Sequence, residues 1–333
     1  MKVLVVTNMY PIPEMPSFGT FVREQVESLK RQGVQVDVFF VNGRKSAFNY
    51  LPAFPRFWAH LLTHRYDLIH SHYLFVSIMA RTQFLYPLVT TQHSGEAYNK
   101  WQRRLSMLIN PFVDRIIAVS EDTKTKGHLN GAVVIPCGVD FNLFKPMPRA
   151  EARQLLGLPA DKKLVLWAGE HFRKVKRFDI VQEAIALLQK RMPEAELVLV
   201  SGKPLSEVPA YMNACDVLLL VSDKEGSPQV VKEAMACNLP VVSVPAGDVP
   251  EVIANVEGCY LCSQDPRDAA EKLELVLKWG KRTDGRNKTG QMEIDTISRR
   301  IMAVYEELLR EKRGRGLGRL WFWQKNNGKV QEA

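Results

Sequence analysis

Two carboxylates stand eight residues apart in the stretch from Glu225 to Val242, which reads EGSPQVVKEAMACNLPVV. Ser227 is a good helix N-cap, and Pro228 suits the first helical position because its missing N–H would have no partner there. The pattern predicts Glu225 in the loop before a helix and Glu233 on the second turn. A helix N-terminus favours phosphate, and two acids can accept hydrogen bonds from hydroxyl groups. An extended, phosphorylated sugar meets both requirements.

The second candidate group is a run of cations that follows the apolar segment Leu164–Ala168 and reads GEHFRKVKR. Arg173 and Lys176 belong to it. As a sugar–phosphate bond breaks, negative charge builds up on the diphosphate, and fixed cations stabilise that charge more in the transition state than in the ground state. By composition alone, a run of cations is usually a solvated face of the protein. The same holds for Glu225 and Glu233, because acidic side chains are mostly exposed. The position of these residues in the fold must therefore decide their role.

Three residues of the first half fall where predicted strands end. Gly19 follows the first apolar run, and its lack of a side chain lets a phosphate approach the backbone. His72 and His93 follow the third and fourth runs. A lone histidine in this position is more often structural than catalytic. Ligands of open α/β sheets bind beyond the carboxyl ends of the strands, so all three residues are candidates for one site.

Short apolar runs that alternate with helical patterns position these candidates. Continuous runs rich in Val and Ile are typical of parallel strands covered on both faces. Two such halves predict an α/β protein with two doubly wound, Rossmann-like domains and an interdomain cleft. Neither half has an intact G-x-G-x-x-G after its first strand, which disfavours an NAD dehydrogenase. The predicted strands are Val3–Val6, Val34–Val41, Leu68–His70, Leu88–Thr91, Ile116–Val119, Val133–Ile135, Leu164–Ala168, Leu197–Val200, Val217–Val221, Val241–Val244 and Tyr260–Cys262.

The domain boundary is predicted within 140–159, a charged stretch that prolines interrupt. This gives domains at 1–150 and 151–292. Apolar residues at helical spacing predict a last helix over about 293–310, which crosses back to the first domain in proteins that the chain resembles. The tail, 311–333, is basic and contains Trp and Phe. It either lies at a lipid headgroup layer or is a disordered end.

Charge is distributed unevenly along the chain, whose net charge is +9. Residues 1–150 carry 17 Lys and Arg against 10 Asp and Glu, whereas residues 151–310 carry 22 against 24. A basic first half predicts an acidic partner, either a phosphorylated substrate or an anionic membrane surface. Nucleic acid is not expected, because no known nucleic-acid-binding pattern is present. Five scattered cysteines and the lack of a long apolar run predict a cytoplasmic protein, with peripheral membrane contact left open.

The pattern E-x7-E followed by EAMA-x3-PVV resembles the signature of retaining nucleotide-sugar glycosyltransferases of family 4, which have the GT-B fold. The resemblance covers nearly the whole chain. YP-x7-GTFV around Gly19, HSGE from His93 and the VSE turn at Ser120 are similar to loops of that family. The chain departs from the family pattern at Cys137, where Asn is usual, and at Glu170, where Arg is commonest.

The resemblance implies a role for each candidate residue. The implied catalytic set is Glu225, His93 and Lys176, in which Glu225 orients the sugar and is not a covalent nucleophile. The further implied assignments are diphosphate binding by Gly19, Arg173, Lys176 and Ser227, donor-sugar binding by His93, Glu225, Gly226 and Ser227, and ribose binding by Glu233.

The implied reaction is hexosyl transfer from a nucleotide diphosphate sugar, with a UDP-sugar favoured over a GDP-sugar. The expected acceptor is lipid-linked or a saccharide, in cell-envelope polysaccharide or glycolipid synthesis. The sequence has no D-x-D motif, so we expect no metal and no other cofactor; Lys176, Arg173 and helix N-termini replace the ion. Two alternatives stay open: a sugar-nucleotide epimerase or hydrolase of the same fold, and a non-catalytic binder of anionic surfaces.

Overall fold

A computed structural model describes residues 1–93 and 99–314. Six of the strands form a parallel sheet in the first half of the chain, with the order β2-β1-β3-β4-β5-β6. The chain reverses its direction of sheet growth beside β1, which creates a crevice at the carboxyl ends of the central strands. The strands are β1 Lys2–Thr7, β2 Gln35–Phe40, β3 Leu68–His72, β4 Leu88–Gln92, β5 Arg115–Ala118 and β6 Val133–Val134.

The second half repeats this design with a parallel sheet of order β11-β10-β9-β7-β8. Here the reversal lies at β7, between β8 and β9. Each of the eleven apolar runs becomes a strand, so the prediction of two doubly wound, Rossmann-like halves is confirmed. The strands are β7 Lys163–Ala168, β8 Ala195–Val200, β9 Val217–Leu220, β10 Val241–Ser243 and β11 Tyr260–Leu261.

Helices cover both faces of each sheet. The α-helices of the first half pack over two apolar cores, one on each side of the sheet. The α-helices within the described residues are Thr20–Arg31, Tyr50–Thr63, Leu74–Arg81, Lys100–Ile109, Glu121–Lys126, Arg149–Leu156, Phe178–Gln189, Val208–Ala214, Gln229–Ala236, Val249–Val252, Pro266–Trp279, Gly285–Lys288 and Ile294–Lys312. None of these helices, in residues 1–93 and 99–314, is both long enough and apolar enough to cross a bilayer.

The last helix, Ile294–Lys312, packs on the first sheet although it follows the second in sequence. Its buried Tyr305 hydroxyl lies 2.6 Å from Nδ1 of His70. In the other direction, Val139 and Phe144 already belong to the core of the second sheet, before the predicted boundary at residue 150. The chain therefore passes between the two halves twice. Of the tail predicted over 311–333, residues 315–333 lie outside the described part.

Candidate functional site

The stretch with the two acids folds as a loop followed by a short helix. The helix is Gln229–Ala236, which leaves Glu225 in the loop and Glu233 on the second turn, as predicted. Asn238 follows the helix with φ 56°, a left-handed conformation that Asn tolerates and that ends the helix. The predicted N-cap is wrong, because Pro228 holds that position and no side chain caps the helix.

Ser227 instead joins a buried ionic network. Its hydroxyl donates to Asp248 Oδ2 at 2.7 Å and accepts from the Cys137 backbone N–H at 3.1 Å. The Lys232 ammonium contacts the Ser227 hydroxyl and lies 2.8 Å from Asp248 Oδ2. Lys232 is completely buried and Asp248 is only 6% exposed. These partners fix the Ser227 side chain in the protein, so its backbone N–H is the group suited to a ligand.

A second ion pair stands in front of this network. Lys176 Nζ lies 2.7 Å from Glu225 Oε1, and the two side chains are 18% and 16% exposed. Lys176 ends a 3-10 turn, Lys174–Lys176, that follows β7. The turn is held against the loop after β9, where the Asp223 N–H donates to the Val175 carbonyl at 2.9 Å. Strand ends that are neighbours in the sheet thus bring a cation and a carboxylate together from distant parts of the chain.

Close backbone packing sets the position of the loop that carries Glu225. Gly247, in the loop after β10, has φ 60° and lies against the carbonyl of Gly226. A Cβ at Gly247 would come within 2.4 Å of that carbonyl oxygen, so a glycine is needed there. The loops after β7, β9 and β10 therefore support one another.

The first half contributes a wall of rings. Gly19 has φ 68°, and a Cβ there would lie 2.4 Å from the Met9 carbonyl carbon, so the loop after β1 folds back on itself. This turn starts the helix Thr20–Arg31 and places Phe21 edge-on to His93, with ring centroids 5.2 Å apart. The Tyr73 ring stacks on the His93 ring, with the two ring centroids 4.4 Å apart.

Three neutral histidines form the buried part of this wall. His93 Nε2 lies 3.3 Å from His72 Nδ1, and the His72 and His70 rings are 4.4 Å apart. His70 also reaches Thr91 Oγ1 at 2.7 Å. Burial lowers the pKa of His72 to about 3 and holds the pKa values of His70 and His93 well below the usual range, where the neighbouring histidines lower them further. The wall therefore carries no histidine charge at neutral pH.

One cavity lies between the two walls. The first half lines it with Phe21, Tyr73 and His93, and the second half lines it with residues 225–229, which are the end of the loop and the first helical residue. Cys137 also lines it, and burial raises the pKa of its thiol to about 11, which keeps the thiol neutral. The structure thus brings together His93, Glu225, Gly226 and Ser227, with Lys176 bound to Glu225.

Glu233 lies farther along the same helix and faces the first half. Burial raises the pKa of its carboxyl to about 7; the charge of Glu24 from the helix Thr20–Arg31 adds to this rise, and Lys232 opposes it. A carboxyl in this position can accept hydrogen bonds from hydroxyl groups of a ligand.

Arg173 is placed differently from the other candidates. Its side chain is 51% exposed, and its guanidinium lies 3.9 Å from Glu170, so it stands at the rim of the site. Glu170 in turn accepts from Arg44 of the first half at 2.7 Å. This ion pair bridges the two halves beside the cleft. Arg44 is a cation at the site that the sequence analysis did not identify.

Two further site residues were missed. Lys232 stands next to Glu233 in a helix whose neighbouring residues are buried and apolar, and a lysine at such a position signals a buried ion pair. Its partner Asp248 follows β10. An acid beyond the carboxyl end of a predicted strand is itself a candidate site residue, which is the second signal in the sequence. In residues 1–93 and 99–314, no group of three or more His, Cys, Asp or Glu side chains is arranged to hold a metal ion.

Two family models match the chain in succession. Glycosyltransferase Family 4 matches residues 18–143, and Glycosyl transferases group 1 matches residues 162–278. Among curated proteins, the D-inositol 3-phosphate glycosyltransferase of Thermobispora bispora is 26% identical over 64% of this chain, and the chain spans 63% of that protein's length. The putative teichuronic acid biosynthesis glycosyltransferase TuaC of Bacillus subtilis is 24% identical over 84% of this chain and 89% of its own length.

The fold is that of HepE from Anabaena, a structure solved in complex with UDP. The TM-score is 0.72 at 19% identity, with 92% of this chain and 100% of HepE covered. Two facing Rossmann-like halves with the matched family regions define a glycosyltransferase of the GT-B class. The chain belongs to glycosyltransferase family 4.

Proposed function

We propose that this enzyme transfers a sugar from a nucleotide diphosphate sugar, a UDP-sugar in preference to a GDP-sugar, and retains the anomeric configuration. The observation that carries the proposal is the Lys176–Glu225 pair, whose Glu225 lines the same cavity as His93. A cation beside a carboxylate matches a ligand whose diphosphate and hydroxyl groups are neighbours. The structural relative HepE has been solved with UDP and with UDP-glucose, which supports the choice of base.

The cations and backbone N–H groups of the site bind the diphosphate part of the donor. Lys176 stabilises the negative charge that grows on the leaving diphosphate, helped by backbone N–H groups of Gly226 and Ser227 and by the close approach that Gly19 allows. Arg173 acts from the rim. In this scheme the protein's cations take the place of a metal ion, so the reaction needs no metal.

The hydroxyl groups meet the acids and His93. Glu225 accepts from the donor sugar, and Glu233 accepts from the ribose. His93 is neutral because its pKa is lowered, so it contacts the sugar as a hydrogen-bonding ring and not as a cation. The departing phosphate removes the acceptor's proton on the same face of the sugar, which gives retention without a covalent enzyme intermediate.

The acceptor we propose is lipid-linked or a saccharide of the cell envelope. TuaC, a relative over most of its length, is named for teichuronic acid biosynthesis, which supports a polysaccharide acceptor. We place the enzyme in the cytoplasm, in peripheral contact with the inner face of the membrane.

The test is a donor panel in which released nucleotide and glycosylated product are both measured. We expect one nucleoside diphosphate sugar to be used and Glu225→Gln to lower kcat/KM by a factor that corresponds to about 2–4 kcal/mol, the usual cost of a lost transition-state contact. The exposed Glu183 gives the matched control Glu183→Gln, which should leave the rate unchanged. If the nucleotide were released at the full rate without any glycosylated acceptor, the enzyme would be a sugar-nucleotide hydrolase and not a transferase.

A further inference from the structure

One layer of helices on the first sheet presents large apolar side chains to solvent. The helix Tyr50–Thr63 buries Phe57 toward the sheet, yet Leu51, Trp58 and Leu62 are 69%, 36% and 76% exposed. These three residues are spaced by seven and four along the helix, so they form an exposed stripe beside the buried face. The helix is therefore apolar on both sides, whereas an ordinary surface helix is polar outside.

The helix Lys100–Ile109 in the same layer has the same feature. Trp101 and Leu108 are 53% and 67% exposed and stand seven residues apart, and Phe112, just beyond the helix, is 59% exposed. Between these two helices in sequence, the loop after the helix Leu74–Arg81 exposes two more large apolar residues. They are Phe84 at 75% and Leu85 at 58%.

Contacts join the three segments into one surface. Trp58 Nε1 donates to Thr82 Oγ1 at 3.2 Å, which ties the first helix to the loop with Phe84. The ring centroids of Phe75 and Trp101 are 5.7 Å apart, which joins the helix Leu74–Arg81 to the helix Lys100–Ile109. The outer apolar surface is thus made by Leu51, Trp58, Leu62, Phe84, Leu85, Trp101, Leu108 and Phe112.

The same region has a strong positive charge. Residues 44–113 contain eight Lys and Arg but only two Asp and Glu. Arg56, Arg65 and Arg104 are exposed, and Arg81 lies over the Phe84 ring at 4.1 Å. Trp, Phe and Leu among arginines are the composition of segments that lie in the headgroup layer of anionic bilayers. An excess of one sign also separates this surface from ordinary protein interfaces, where charge is depleted at the centre.

The second half offers the internal contrast. Its residues 151–310 have a slight excess of acids. Its exposed large apolar residues are scattered over five separate segments and form no stripe: Leu155, Phe172, Leu199, Leu261 and Leu275.

We infer that the outer apolar surface docks on an anionic lipid bilayer, with Trp and Leu side chains inserted at the headgroup level and the arginines on lipid phosphates. The Tyr50 hydroxyl, at the start of the first helix, accepts a hydrogen bond at 2.8 Å from Asn8 Nδ2 in the loop after β1, so the surface reaches the loops of the cleft. That placement would bring a membrane-held acceptor to the cleft, and this last point rests on the proposed function. The docking assigns a surface to the peripheral membrane contact proposed above, and it does not depend on the proposed catalysis.

The experiment is sedimentation of the full chain with vesicles of phosphatidylcholine alone or with phosphatidylglycerol. We expect binding only with phosphatidylglycerol, and a loss that exceeds about tenfold for Leu62→Glu combined with Leu108→Glu, because each change removes apolar burial and adds repulsion. The matched control, Leu155→Glu combined with Leu275→Glu, makes the same changes at exposed leucines of the second half and should bind as the wild type does.

Three results would overturn the inference. The first is equal vesicle binding by both double variants, which would assign binding to another part of the chain. The second is no binding to anionic vesicles by the wild type. The third is a molar mass in light scattering that differs from that of the wild type for Leu62→Glu combined with Leu108→Glu but not for the control, which would show that the surface is a protein interface. Glu225→Gln should still bind vesicles, so a failure of docking and a failure of the proposed catalysis remain separate.

Discussion

The two walls of the cleft hold their site residues by different means. The second-half wall uses charge: Lys232 is buried with Asp248, and Lys176 pairs with Glu225. The first-half wall uses neutral rings, and its histidines are uncharged because burial lowers their pKa values. A phosphorylated donor calls for fixed charge, whereas a sugar ring requires only hydrogen bonds and flat surfaces. In the reaction proposed above, this division places the diphosphate at the second-half wall and the transferred sugar against the first-half wall.

The largest expected effect comes from breaking the buried pair. Lys232→Met leaves the Asp248 carboxylate without its counter-charge in a site that excludes water, which typically costs about 3–5 kcal/mol. Urea unfolding of the wild type and the variant measures this loss. In the first half, on the strand that carries His70 and His72, Ser71→Ala removes a buried hydroxyl that bonds to Ser77 and Thr90, and should cost only about 0.5–1.5 kcal/mol.

A double variant sharpens this comparison. Lys232→Met with Asp248→Leu removes both charges, and most of the lost unfolding free energy should return, because an apolar pair needs no compensation. If the single variant were as stable as the wild type, the second-half wall would not depend on charge.

Acidification should affect the two walls in opposite directions, with a smaller effect per residue. Because the folded pKa of His72 is depressed, its stabilising contribution is present above the unfolded pKa of about 6.5 and is lost as the pH falls, by about 1 kcal/mol at pH 5.5. Glu233 has a raised folded pKa of about 7, so its contribution grows as the pH falls toward the unfolded value.

Unfolding curves at pH 7.5 and 5.5 separate the two contributions. His72→Asn should lose less stability on acidification than the wild type, because it has one buried neutral histidine fewer. Glu233→Gln should lose more, because it lacks the opposing carboxyl. The same pH response in all three proteins would show that these groups are not held in the protonation states that the two walls require.

The sequence predicts the second-half wall better than the first, for a local reason. Glu225 and Glu233 belong to one loop and helix, so their relation follows from spacing. Ser227 was predicted as an N-cap by the same local logic, which failed because its partners Asp248 and Lys232 bring a stronger, ionic set of hydrogen bonds. No local pattern contains that information.

The first-half wall is assembled across strands. His72 and His93 end neighbouring strands, and their contact follows from sheet order, which apolar runs alone do not specify. Tyr305 reaches this wall from the last helix of the described chain. The strand positions were predictable because continuous Val and Ile runs are typical of covered parallel sheets, whereas pairings between distant elements depend on topology.

Calorimetric binding of UDP to the wild type and to Lys176→Met tests most directly whether the diphosphate lies at the Lys176–Glu225 pair. We expect at least about a tenfold loss of UDP affinity, in line with a lost charge-assisted contact, with little change for uridine, which has no phosphate. Lys174→Met, two residues away at an exposed position, is the control and should bind UDP normally. If Lys176→Met bound UDP as tightly as the wild type, the diphosphate would not lie at the Lys176–Glu225 pair.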